Sequence, residues 1–176
     1  MTLLYKRKST SEALNKYFKS NKICFVFPNS RIAGAPIDLK FGYFCNTTNW
    51  NQKPYDKLLD ETREITEYCD KTKWDSIWYT EHHFNHEGME SLTNPLMMGV
   101  DAAARTKDIR IGQACNVITF HNPIRMAEDI ALLDQLSKGR VEIGIGRGIY
   151  GREAINLNKE ADMKDQAKNF RLFEET

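Results

Sequence analysis

Three of the chain's four histidines, His82, His83 and His86, fall within the stretch WYTEHHFNHEG (residues 78–88), next to Glu81 and Glu87. Imidazoles change charge near neutral pH, so such a group can pass a proton to or from a substrate oxygen. A metallopeptidase-type zinc pair needs two histidines one helical turn apart with a glutamate between them. His82 and His86 have the spacing, but His83 stands in the glutamate's place. The apolar run before them also reads as a strand, not a helix, so no metal is expected. A proton-handling site and a polar loop without chemistry both remain open on these residues alone. A second stretch, GIGRGIYG (144–151), lets the backbone approach a ligand closely, and Arg147 adds a planar cation suited to phosphate. Its competing reading is a tight turn whose arginine makes an ordinary surface ion pair. A third, QACN (113–116), offers small residues for the floor under a flat ring, or for packing against a helix.

The elements that must carry these groups alternate between two periods. LKFGYFCN (39–46), SIWYT (76–80), IRIGQACNVIT (109–119) and VEIGIG (141–146) read as strands. YDKLLDETREITEYCDK (55–71) is an amphipathic helix, with Tyr55, Leu58, Leu59, Ile65, Tyr68 and Cys69 on one stripe. Two further helices start alike: Asn94 then Pro95, and Asn122 then Pro123, a capping side chain followed by the residue best suited to the first helical position. The second of these ends at SKGR, where Gly139 can turn left-handed. A last helix is expected from about Glu160, with Met163, Ala167, Phe170 and Phe173 on one face. Trp50, Trp74 and Trp78 are read as core residues. The order βαβαβαβα calls for parallel strands with crossover helices, in an open doubly wound sheet or a (β/α) barrel. In either, sites gather at the C-terminal ends of the strands, where EHHF and GRGIYG both lie.

Bulk properties narrow the class. With 41% apolar and 28% charged residues and a net charge of +1, the chain reads as a globular protein with no field favouring nucleic acid. No apolar run is long enough to span a membrane. Cys24, Cys45, Cys69 and Cys115 form no CxxC pair, which suits free thiols and a cytoplasmic location. Residues 1–37 hold seven Lys/Arg against one acid, Glu12. They read as a poorly defined basic extension preceding a domain at 38–176.

Taken together in this order, KFGYF, WYTEHHF, IRIG, HNPIRMAEDIALLDQLSKGR and GIGRGIYG resemble the bacterial luciferase-like flavin-dependent monooxygenases over about Lys40 to Gly151. The resemblance implies an α/β (β/α)8 TIM barrel. It also implies reduced FMN from a separate flavin reductase, and O2, one atom of which enters a small organic substrate such as an aldehyde. His82 would be the catalytic histidine and His83 its support. Arg147 would hold the FMN phosphate. Ala114 and Cys115 match a pair joined by a cis peptide under the flavin, and Gly148 and Tyr150 fall in the flavin pocket. Glu81 with both histidines favours a catalytic chain, whereas Gly146 stands where the light-emitting catalytic subunit carries a reactive cysteine. A homodimer or heterodimer is implied. Two other readings are a non-catalytic partner subunit and an enzyme using a deazaflavin.

A complete barrel takes eight βα units and about 250 residues. Residues 38–176 hold about four. The expectation is therefore the N-terminal half of a longer protein, binding FMN weakly by itself.

Overall fold

The computed structural model describes residues 24–28, 39–161 and 163–176; the rest of the basic extension expected at 1–37 lies outside the described residues. Five strands form one sheet in chain order: β1 (Cys24–Pro28), β2 (Leu39–Cys45), β3 (Ser76–Tyr79), β4 (Arg110–Val117) and β5 (Val141–Gly146). β2 to β5 are parallel, with Gly42 opposite Ser76, Ser76 opposite Arg110, and Ile111 opposite Val141. Three crossover helices join them: α1 (Tyr55–Lys71), α2 (Pro95–Arg105) and α3 (Pro123–Ser137). Two helices follow, α4 (Gly151–Leu157) and α5 (Gln166–Glu175).

β1 is absent from the sequence reading. It runs antiparallel to β2, with Cys24 opposite Tyr43 and Pro28 opposite Leu39. It therefore occupies the edge of β2 that the last strand of a closed barrel would take.

The helix starts follow the capping chemistry. Asn94 Oδ1 accepts the Met97 N–H at 2.9 Å, and Asn122 Oδ1 accepts that of Arg125 at 3.1 Å. α3 stops where Lys138 and Gly139 both take positive φ. Helices α1 and α2 cover one face of the sheet. Tyr43, Cys45, Ile77, Tyr79 and Ile111 point into that layer and meet Cys69, Met98 and Ala102. α1 brings two threonines into the core rather than an all-apolar stripe. Thr62 and Thr66 each donate to the carbonyl four residues back, and Thr66 also bonds the Tyr79 hydroxyl at 2.7 Å.

On the other face, Trp78 packs in the space two glycines leave free: a Cβ on Gly112 would lie 2.3 Å from its ring, and one on Gly42 3.0 Å from its Nε1. Of the three tryptophans, Trp50 departs from the core reading and is exposed. The last helix also differs. It begins only at Gln166, and Ala167 and Phe170 face outward while Asn169 is buried. Asn169 turns inward because it accepts from Arg147 and donates to the Met163 sulfur. Among the described residues no helix is long and apolar enough to cross a membrane.

Candidate active site

Because β3, β4 and β5 are parallel, the segments that leave them emerge on one rim: Thr80 to Phe84, Ile118 to His121, and Arg147 to Tyr150. A 3-10 turn at Ile118–Phe120 replaces the end of the long third strand expected from sequence, and it swings His121 back toward β3.

Glu81, only 2% exposed, is the hub of this rim. Its Oε2 accepts the Val117 N–H at 2.7 Å. Its Oε1 takes Nε2 of His121 at 2.7 Å and Nε2 of His83 at 3.0 Å. Burial alone would push this carboxyl up, but the hydrogen bonds from His121, His83 and the Val117 amide outweigh it and hold the group below the ordinary carboxylate value. The same bond to Glu81 raises His121 above the ordinary histidine value against the opposing effect of burial. Since a carboxylate only accepts, both rings carry their proton on Nε2.

His82 is turned the other way. Its Nδ1 lies 3.4 Å from Glu90 Oε2 and 3.5 Å from Glu153 Oε1. Glu153, 1% exposed, comes from the first turn of α4 and accepts the His83 N–H at 2.7 Å. It thereby fixes the backbone between the two histidines. The Tyr150 ring stands 5.5 Å from that of His82. Burial, then the charge and hydrogen bond of Glu90, raise the Tyr150 phenol above its ordinary value.

Arg147 leaves the end of β5 on the same rim. It touches Asn169 Oδ1 at 3.4 Å and lies 5.7 Å from the centre of the Phe170 ring. Among the described residues no carboxylate pairs with it, unlike the surface ion pair that the competing reading supposed. Its position is set by its own carbonyl, which accepts from Thr119 Oγ1 at 3.1 Å. Gly148 has φ +81° and is buried against Val117, Phe120 and Met163, so it shapes the turn.

The floor between His82 and Arg147 is the β4–β5 seam. The ladder shifts register between Gln113 and Asn116, and the Ala114–Cys115 peptide is cis. Both residues are half-buried. The glycines of β5 are required by this seam: a Cβ on Gly144 would lie 2.3 Å from the Gln113 carbonyl oxygen, and one on Gly146 2.3 Å from Cys115 Sγ. The thiol at 115 thus fills the space that a side chain at 146 would need. Burial and the Glu81 charge push that thiol up, toward its neutral form.

The structure therefore places His82, His83, Ala114, Cys115, Arg147 and Tyr150 along the C-terminal part of adjacent strands β3, β4 and β5 and the segments that leave them. It leaves out His86, whose side chain is 83% exposed and lies 3.3 Å from Glu87 Oε1. Among the described residues no three His, Cys, Asp or Glu side chains are placed to hold a metal ion. Sequence reasoning missed Glu90, His121 and Glu153. His121 had a legible signal, since it directly precedes the Asn122–Pro123 helix start and so sits at a strand's C-terminal end. Glu153 lies in a helix that the glycine-rich run concealed, and nothing local marks Glu90.

The family model of the luciferase-like monooxygenases matches residues 39–176. The alkanal monooxygenase alpha chain of Photorhabdus laumondii is 36% identical over 118 residues, 65% of this chain and 32% of that protein. An alkanal monooxygenase beta chain of Photorhabdus luminescens is 38% identical over 138 residues, 78% of this chain and 40% of that protein. Among solved structures, the oxygenating constituent of 3,6-diketocamphane monooxygenase from Pseudomonas putida, in complex with FMN, superposes with a TM-score of 0.68 at 21% identity, over 77% of this chain and 36% of that one. The four parallel βα units are an arc of the TIM barrel these proteins share. The chain spans about a third to two-fifths of the length of the curated relatives it matches.

Proposed function

We propose that this chain, which belongs to the luciferase-like monooxygenase family, supplies the proton-handling and phosphate-holding part of a flavin-dependent monooxygenase. Reduced FMN, delivered by a separate flavin reductase, would provide the electrons with which O2 is divided between product and water. The residues present fit that cofactor. Arg147 offers a guanidinium that no described carboxylate neutralises, held in place by Asn169 and Thr119. Ala114 and Cys115 offer a floor of small side chains between it and His82. The observation that carries the proposal is the joint placement of His82 and Arg147 on one rim, on either side of that floor. His82 takes or returns a proton at the substrate, His83 and Glu81 brace the turn that carries it, and Tyr150 closes the pocket beside it. A small aldehyde-like substrate is in keeping with the alkanal monooxygenase relatives.

A partner of the same family suits the exposed apolar side chains of α2 and α3. Ile124, Leu132 and Leu136 of α3 are exposed, as are Met97 and Val100 of α2. The relatives occur as alpha and beta chains. We assign this face to a second luciferase-like chain, and Leu132→Glu should keep the chain monomeric in light-scattering measurements.

The test of function uses the longest reading frame that contains this chain, with reduced FMN, O2 and an aldehyde series. His82→Ala should lower oxygenated product about a hundredfold or more, as loss of a proton-transferring side chain does, with FMN binding retained. Arg147→Ala should weaken FMN binding instead. Unchanged turnover in His82→Ala ends the proposal. The 176-residue chain alone should bind FMN more weakly than about 1 μM, a figure that a direct titration checks.

A further inference from the structure

The two adjacent histidines face carboxylates through different nitrogens. His83 uses Nε2, toward Glu81 at 3.0 Å; His82 uses Nδ1, toward Glu90 at 3.4 Å and Glu153 at 3.5 Å. The Nδ1 atom of His82 and Oε2 of Glu90 are both buried, and neither has a partner at full hydrogen-bonding distance. Unmet buried polar atoms are costly, so two that face each other across a few tenths of an ångström excess form a contact ready to close. Glu90 is not on a floppy arm. The loop that carries it is pinned by Asn49 N–H to the Gly88 carbonyl (2.6 Å), Ser91 N–H to that of Thr47 (3.1 Å) and His82 N–H to that of Leu92 (2.9 Å). Gly88 sits at φ +78° with its α-carbon against the Asn49 carbonyl, where a Cβ would lie 2.2 Å from that oxygen. The charge of the same carboxylate also raises the Tyr150 phenol above its ordinary value, after the larger effect of burial.

We propose that Glu90 is a positioning residue, which with Glu153 holds His82 as its Nδ1–H tautomer and so presents Nε2 to the substrate. Without an acceptor at Nδ1 the neutral ring would divide between two tautomers, and only one has a lone pair at Nε2 with which to take a proton. This rests on the reading of His82 as the proton-handling group, but its test does not depend on turnover.

Long-range 15N–1H spectra of histidine-labelled 176-residue protein, at about pH 9 where imidazoles are neutral, report the tautomer of each ring directly. His82 should show Nδ1–H while His83 and His121 show Nε2–H. Glu90→Ala should lower the Nδ1–H to Nε2–H ratio of His82 about fivefold, the effect of losing roughly 1 kcal/mol of hydrogen bonding, and leave His83 and His121 unmoved. Glu90→Asp should restore part of the ratio. Tyr150 should titrate lower in Glu90→Ala than in the parent. If Glu90→Ala does not fold, Glu90→Met, which keeps the length and lacks an oxygen acceptor, carries the same measurement. A wild-type His82 in the Nε2–H form, or a ratio indifferent to Glu90, overturns the proposal whatever His82→Ala does to turnover. A turnover that survives His82→Ala defeats the functional reading alone and leaves the tautomer result standing.

Discussion

The two sides of the β3 tip are built from the same residue types and are finished differently. On one side Glu81, His83, His121 and the Val117 amide form a closed set in which all three side chains meet a partner at 3.0 Å or less. On the other, His82, Glu90, Glu153 and Tyr150 surround one nitrogen without completing a hydrogen bond to it. A satisfied buried network fixes a backbone, whereas one left partly open can respond to a ligand. The difference separates a closed set from an open one within three consecutive residues.

The largest effect that can test this contrast is on stability. Glu81→Ala strips a buried carboxylate from three donors and should cost about 3–5 kcal/mol in denaturant unfolding, as broken buried charge pairs do. Glu90→Ala, which removes no completed bond to His82, should cost about 1 kcal/mol or less. Equal losses would erase the distinction. Next comes the loop that delivers Glu90. Gly88→Ala combines a left-handed φ with a Cβ against the Asn49 carbonyl and should destabilise by about 1–3 kcal/mol, with hydrogen exchange quickening in the loop at 85–93.

A smaller effect is the pH dependence of the closed side. Glu81 titrates below its ordinary 4.5 in the fold, so its contribution is present above that value and lost as pH falls through the lowered one. His121 titrates above its ordinary 6.5, so its contribution is complete below 6.5 and lost as pH rises through the raised value. The pair should therefore stabilise most between pH 4.5 and 6.5, and His121→Ala should flatten the stability profile on both flanks of that window. Smallest of all, His86→Ala should change stability by less than about 0.5 kcal/mol, because its ring is solvated. A larger change would place the third histidine in the site after all.

Much of the scaffold was legible because it is written in short-range chemistry. Helix α1 begins and ends at the expected residues, β5 spans 141–146 as read, and both Asn–Pro starts cap as their side chains require. The errors fall where a partner distant in sequence decided the matter. Ala167 and Phe170 looked like a buried face, but Asn169 won the inward position through Arg147. Cys115 likewise faces Gly146 across the seam, with its Sγ 2.3 Å from where a Cβ at 146 would lie, a closeness that local sequence did not show.

The sequence by itself determined the order of β2 to β5 and their crossover helices, the rim on which the site must lie, and that His82, His83 and Arg147 stand on it. Periodicity, capping and strand direction are properties of contiguous residues. Only the tertiary structure decided which carboxylate each histidine answers to, since Glu81 meets His121 across 40 residues and the His83 amide meets Glu153 across 70. Those pairings depend on strand register and on a bulge between β4 and β5, and neither leaves a mark in the residues it joins.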